Sequence, residues 1–201
     1  MLITDKVQSP MFSSQNKDDR RLHFFDKGES IPMVSQGVWQ VYRGIVQLSQ
    51  FQEEGYETLL GWSVSSTFFG LWLSQVENYQ AKSLSQSYLK WFSVDEIEQS
   101  SVFACHMMNS AVRRLRQTEA LTSVIGLKKI EDRLIGLLKL LKGELGELTQ
   151  KGEVRLSIRF THETISNTIG TTRVTVTRLM GQFQRQGLIS LDPQRHLIIH
   201  I

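Results

Sequence analysis

Cysteine is nearly absent. The one residue, Cys105, can close no internal disulfide and cannot by itself hold a cysteine-rich zinc or iron–sulfur site. Standing alone, it reads as a small buried apolar side chain. No apolar run is long enough for a signal peptide or a membrane span, including in the N-terminal MLITDKVQSPMFSSQNKDDRR, so the expected location is the cytoplasm, with no membrane partner. Of the histidines (His23, His106, His162, His196, His200), His196 and His200 alone stand at HxxxH spacing, and on a strand they give a wide bite for one ion, so no metal site is expected. Walker loops, nucleophile–base pairs and recognisable paired carboxylates are also lacking, which argues against an enzyme.

What is present fits two small units within 201 residues. The net charge of +3 is unevenly spread: residues 1–127 hold 11 Lys and Arg against 13 Asp and Glu, and residues 128–201 hold 12 against 7. A basic excess confined to one end fits a polyanionic partner there. From Leu22 to Phe92 the segments LHFF, SIPM, VWQVYRG, IVQLSQFQ, TLLGW and YLKWF read as short strands between turn-forming glycines, as in a sandwich or roll. At Ser93, with Glu96 three positions on, a capping box opens the helical part.

Residues 100–123 contain neither Gly nor Pro, and Cys105, Met108, Val112, Leu115, Glu119 and Thr122 recur at alternating spacings of three and four. The stripe reads as a two-helix dimer seam or as a helix lying on its own β unit. A second helix over 127–143 aligns Ile130, Leu134, Leu137, Leu138 and Leu141, and GELGELTQKGE after it reads as a loop.

The most informative stretch is THETISNTIGTTRVTVTRLMGQFQRQG, residues 161–187. Thr161 can cap a short helix with Ile165 and Ile169 inward, Gly170 can make the tight turn, and Thr172 can cap a second helix starting at Arg173. Small Ser166 suits the close approach of the two helices, and Val176 and Leu179 would pack the second on the first. That leaves Arg173, Val174, Thr175, Thr177 and Arg178 in recognition-helix positions. Arg can donate twice to guanine O6 and N7, a Val or Thr methyl can touch the thymine methyl, and helix N-terminal N–H groups at Thr161 and Thr172 can hold phosphates. LISLDPQRHLIIH then reads as two short strands around Asp192-Pro193, a wing.

These residues resemble the CRP/FNR superfamily of bacterial transcription regulators, above all its cyanobacterial nitrogen-regulator branch. TTRVTVTRLMG is similar to the recognition helix of that branch, RRLRQTEALTSVIGLKKIEDRLIGLLKLL to its dimer helix and the helix after it, and FDKGESIP, GIVQLSQFQEEGYETLLGW and FFGLWL to the family's roll. The resemblance implies an α+β chain: a cyclic-nucleotide-binding-type β-roll over 1–99, a dimerisation helix over 100–126, and a winged helix-turn-helix over 127–201. It implies a homodimer on double-stranded DNA, with RNA polymerase as a partner and a palindromic site of GTA…TAC type. Arg173, Val174 and Arg178 would contact bases, and Thr161, Thr172 and Thr175 the backbone. The alternative is a small-molecule-binding signalling module whose helix-turn-helix serves protein contacts, against which Arg173 and Arg178 speak.

Phe69, Gly70, Leu71, Tyr79, Arg114 and Thr118 form the candidate effector pocket by the same resemblance. Leu71 and the segment Glu77–Ala81 replace the family's ribose-binding Glu and phosphate-binding Arg-Ser, and a Glu77 carboxylate at the phosphate position argues against cyclic AMP. For 2-oxoglutarate, Arg114 matches one Arg of the nitrogen regulator's site, while Glu77 replaces the other. Val34-Ser35-Gln36-Gly37 replaces the family's Gly-Asp turn. A degenerate sensor, or an apolar ligand among Trp62, Phe68, Phe69 and Trp72, is the remaining expectation, though such aromatics also serve as core.

Overall fold

The structure is a computed structural model that describes residues 22–53 and 55–201; the reading of residues 1–21 lies outside them. The N-terminal strands are β1 (His23–Phe25), β2 (Gly37–Arg43), β3 (Ile45–Phe51), β4 (Glu57–Val64), β5 (Phe68–Phe69), β6 (Tyr79–Ser83) and β7 (Ser87–Ser93). They form two antiparallel sheets, one ordered β1-β7-β2-β5 and the other β4-β3-β6. Trp39, Val41, Val46, Leu48, Ala81 and Leu89 fill the space between them, as expected for sheets that each present one apolar face.

The chain departs from the sequence reading at two places in this roll. Ser30–Met33 is not a strand: Ser30 makes a single bridge to Lys82, and the Pro32 carbonyl accepts a 2.8 Å hydrogen bond from Trp39 Nε1. Pro32, lacking an N–H, cannot extend a ladder. Residues 79–83 do form a strand, β6, whose Tyr79, Ala81 and Ser83 point inward by strict alternation.

The capping box is present: Ser93 N–H donates to Glu96 Oε2 at 2.9 Å, and Glu96 N–H donates to Ser93 Oγ at 3.3 Å. It starts the short α1 (Val94–Glu98), and Ser100 then caps α2 (Ser101–Gly126). At 1.5 Å per residue this second helix is roughly 39 Å long. Its inner face, with Met107, Ser110, Gln117, Leu121 and Val124, is buried, and Ser110 Oγ accepts the Phe68 N–H at 2.8 Å.

Beyond α2 follow α3 (Ile130–Leu145), β8 (Gly146–Leu148), β9 (Val154–Leu156), α4 (His162–Ile169), α5 (Arg173–Arg185), β10 (Ile189–Leu191) and β11 (Leu197–Ile199). The small sheet runs β10-β11-β9-β8. Residues 146–156 are therefore a hairpin where a loop was expected. Gly152, at φ +79°, turns the chain so that Thr149 N–H reaches the Glu153 carbonyl at 2.8 Å. Leu134, Leu138, Ile169, Val176 and Phe183 are fully buried in one cluster that continues onto Leu121, Val124 and Trp62. Trp62 meets Phe160 edge to face at 6.0 Å, so β4 of the roll packs directly against the C-terminal unit.

Candidate nucleic-acid interface and the cavity along the long helix

Local chemistry sets the geometry of α4 and α5. Thr161 Oγ1 accepts from Thr164 N–H at 3.0 Å, and Thr172 Oγ1 accepts from Thr175 N–H at 3.2 Å, so each threonine satisfies a donor that the first helical turn leaves free. Between the helices Gly170 adopts φ 67° and ψ 53°, the left-handed conformation in which a side chain is strained. Ser166 is buried and its hydroxyl donates to the Glu163 carbonyl at 2.8 Å, leaving no polar group stranded where α4 meets α5.

Val176, Leu179, Met180 and Phe183 bury the inner face of α5. Arg173, Val174, Thr177 and Arg178 are exposed, and Thr175 is half-buried beside its cap. Val174 is 78% exposed, and among the described residues neither Arg173 nor Arg178 makes an ion pair. An uncovered β-branched apolar residue between two uncommitted guanidinium groups has no folding rationale, and it matches the chemistry of a groove-reading helix.

Three contacts here had not been singled out from the sequence. Thr177 Oγ1 donates to the Arg173 carbonyl at 2.9 Å, so it accepts from His162 Nδ1 at 2.8 Å, which places the imidazole proton on Nδ1 and ties α4 to α5. Arg133 donates to the Leu127 carbonyl at 2.6 Å and the Ile169 carbonyl at 3.1 Å, fastening the end of α4 to the chain after α2. In the wing, Asp192 Oδ1 accepts the His196 N–H at 2.7 Å, and Arg195 sits exposed at the turn with φ +64°. The Asp-Pro pair signalled this turn; only the fold shows that it presents an arginine.

All six stripe residues of α2, Cys105, Met108, Val112, Leu115, Glu119 and Thr122, are exposed. Cys105 is thus not the buried residue that a lone thiol implied. The helix has two faces: one lies on the roll, and the other leaves Val102, Met108, Val112 and Leu115 uncovered.

A cavity of about 420 Å³ lies between α2 and the roll. Of the candidate pocket residues, Phe69, Tyr79, Arg114 and Thr118 line this cavity and Gly70 and Leu71 do not, because the chain turns there into a single helical turn, Leu71–Leu73, that brings Leu73 to the wall. Trp62 and Trp72 are also absent from the lining, while Phe68 contributes. Glu77 is exposed and outside the lining, where Val76 stands, so the repulsive carboxylate expected in the site is not part of it.

Arg114 is the lining cation among the described residues. Burial pulls its pKa below the usual value, offset by Tyr79 and Glu144, and burial pushes the Tyr79 phenol up to about 12 against the lowering effect of Arg114. Arg114 Nη1 donates to Gln117 Oε1 at 3.2 Å. Buried Gln117 also accepts the Trp62 N–H at 2.8 Å and donates to Glu144 Oε2 at 3.0 Å, where Arg113 also binds at 3.0 Å. This network joins β4, α2 and α3. It requires Gly61, since a Cβ there would overlap the Gln117 amide.

Among the described residues no helix is long and apolar enough to cross a membrane, and no cluster of His, Cys, Asp or Glu is arranged to hold a metal ion. Residues 132–201 match the model of the Crp-like helix-turn-helix domain. The regulatory protein CysR of Synechococcus elongatus is 32% identical over 161 residues, covering 79% of this chain and 74% of that one. The global nitrogen regulator of Synechocystis sp. is 27% identical over 184 residues, covering 85% and 81%. In fold, the chain is similar to FixK2 of Bradyrhizobium japonicum, with a TM-score of 0.73 at 18% identity, covering 91% and 93%. A CRP-family transcriptional regulator of Thermus thermophilus gives 0.73 at 16%, covering 88% and 91%. With the β-rich unit, the long helix and the helix-turn-helix in this order, the chain belongs to the CRP/FNR superfamily of DNA-binding transcription regulators.

Proposed function

We propose that the protein acts as a homodimer on a palindromic DNA site, with α5 of each copy in the major groove. The exposed Val174 between unpaired Arg173 and Arg178 carries this reading. Arg173 and Arg178 pair with guanines, Val174 touches a thymine methyl, and Thr161, Thr172 and Thr175 lie along the phosphates. The half-site is of GTA type with a TAC mate, in keeping with the likeness to the nitrogen regulators. The exposed stripe of α2 forms the seam between copies, RNA polymerase is the partner on the promoter, and the cavity along α2 is where an effector acts.

The test is fluorescence anisotropy at fixed salt with a palindromic GTA…TAC duplex and a scrambled duplex of equal length. Specific binding should exceed the scrambled level by about 10³-fold or more. Equal affinity for the two duplexes refutes base reading.

A further inference from the structure

The cavity wall is chemically lopsided. Leu59, Leu60, Phe68, Phe69, Val76 and Ile125 make most of it apolar, whereas Arg114 brings one half-buried cation. Among the described residues no carboxylate lies within ion-pair distance of Arg114; its guanidinium donates instead to the neutral amide oxygen of Gln117 at 3.2 Å. The nearby Glu144 is engaged by Arg113 and Gln117. A guanidinium drawn partly out of water with no carboxylate in direct contact is costly, and its fork geometry matches a carboxylate. Tyr79, kept protonated by burial, adds a hydroxyl donor on the same wall, while Thr118 and Thr122 spend their hydroxyl protons on the Arg114 and Thr118 carbonyls at 3.0 and 2.9 Å. The Gln117 network meanwhile holds Arg114 in place.

We propose that this cavity takes an amphipathic monocarboxylate, a small acid with one head group for Arg114 and a hydrocarbon or aryl body for the apolar wall. The inference rests on the reading of the cavity as the effector site and names the chemistry that fills it. A dicarboxylate fits poorly, since its second charge faces leucine, valine and phenylalanine side chains with no second lining cation among the described residues. A cyclic nucleotide also leaves its polar base and ribose against that wall. The volume of about 420 Å³ is in the range of small-ligand pockets.

Isothermal titration of the full chain with octanoate, hexanoate, octan-1-ol and 2-oxoglutarate tests this. Octanoate should bind saturably, hexanoate about 15-fold more weakly for two methylenes fewer, and octan-1-ol and 2-oxoglutarate each at least about tenfold more weakly than octanoate. In Arg114→Gln the octanoate advantage over octan-1-ol should vanish while octan-1-ol binding persists, which also reports that the cavity is intact. No saturable octanoate binding, affinity independent of chain length, 2-oxoglutarate binding as tightly as octanoate, or an unchanged octanoate advantage in Arg114→Gln overturns the proposal. Should the wild-type protein bind no DNA duplex at all, the DNA reading falls, and the titration still decides the ligand class by itself.

Discussion

In the proposed DNA reading, Arg173, Val174 and Arg178 divide the labour of one helix face by chemistry. A guanidinium with no intramolecular partner is held out by a helix whose other side is locked by Val176, Leu179 and Phe183, so little side-chain reorganisation precedes binding. Replacing Arg173 or Arg178 with Ala should cost about 1–3 kcal/mol on a GTA…TAC duplex and flatten the preference at one base position. Thr172→Ala removes a cap and the proposed phosphate contact, so it should weaken specific and scrambled duplexes together, the cap itself contributing about 0.5–2 kcal/mol. Anisotropy at one salt concentration separates the two patterns; equal losses on both duplexes for the Arg variants would leave a basic surface without a reader. The wing adds a pH dependence. Burial works to raise the Asp192 pKa but is outweighed by the His196 N–H, the His196 charge and Arg155, so the carboxyl is held below its usual range. A depressed carboxyl contributes stability above its unfolded pKa and loses it as pH falls through the folded one. Hydrogen exchange of the β10–β11 hairpin should therefore accelerate on acidification below the ordinary carboxylate range, and Asp192→Asn should flatten that response.

Among the elements, α2 is the one on which the others converge, through Gln117. Its side chain answers the Trp62 N–H of β4 and Glu144 of α3 from a position that is 2% exposed. Gln117→Leu keeps the approximate size but strands the Trp62 N–H and removes the acceptor of Arg114 Nη1, so it should destabilise the protein by about 1–3 kcal/mol in denaturant unfolding. A shift below about 0.5 kcal/mol would mean that the joint is not structural. No pattern in the sequence marked this position: a glutamine inside a helix reads as solvent-facing, and only the approach of Gly61 makes it a buried acceptor. The same limit explains β6 and β8, short segments that become strands because β3 and β9 offer them free edges. By contrast, the caps at Ser93, Thr161 and Thr172 and the turn at Gly170 were legible because each is decided within four residues. The inner stripe of α3 was legible too, since a run of leucines at helical spacing has one stable arrangement. Cavity walls belong with the long-range features. Arg114, Phe69, Tyr79 and Thr118 line the cavity, but the path of the chain through Leu71–Leu73 excludes Gly70 and Leu71 and turns Glu77 outward.

At the scale of the whole molecule, the proposed two-fold axis along the uncovered face of α2 would fix where the two α5 helices go. Met108, Val112 and Leu115 are 63%, 41% and 59% exposed in the single chain, more apolar surface than one helix face leaves to water without a partner. Leu115→Asp should leave the circular dichroism of the chain intact, shift sedimentation from dimer to monomer, and weaken DNA binding in step. Pairing through α2 carries the DNA-binding units with it, because Arg133 and the Trp62–Phe160 contact tie them to α2 and the roll. The recognition helices then stand about one DNA turn apart, roughly 34 Å. Inserting about 5 base pairs, half a turn, between the GTA and TAC halves rotates one half-site to the opposite face of the duplex, where the second α5 cannot reach it without breaking the seam or those ties. Affinity should fall toward the scrambled level, a loss on the order of 10³-fold. The Leu115→Asp monomer uses one half-site at a time, so it should bind the original and expanded sites equally weakly. Retention of full affinity on the expanded site by the wild-type dimer would show that the two DNA-binding units move independently, and would refute the rigid two-fold arrangement.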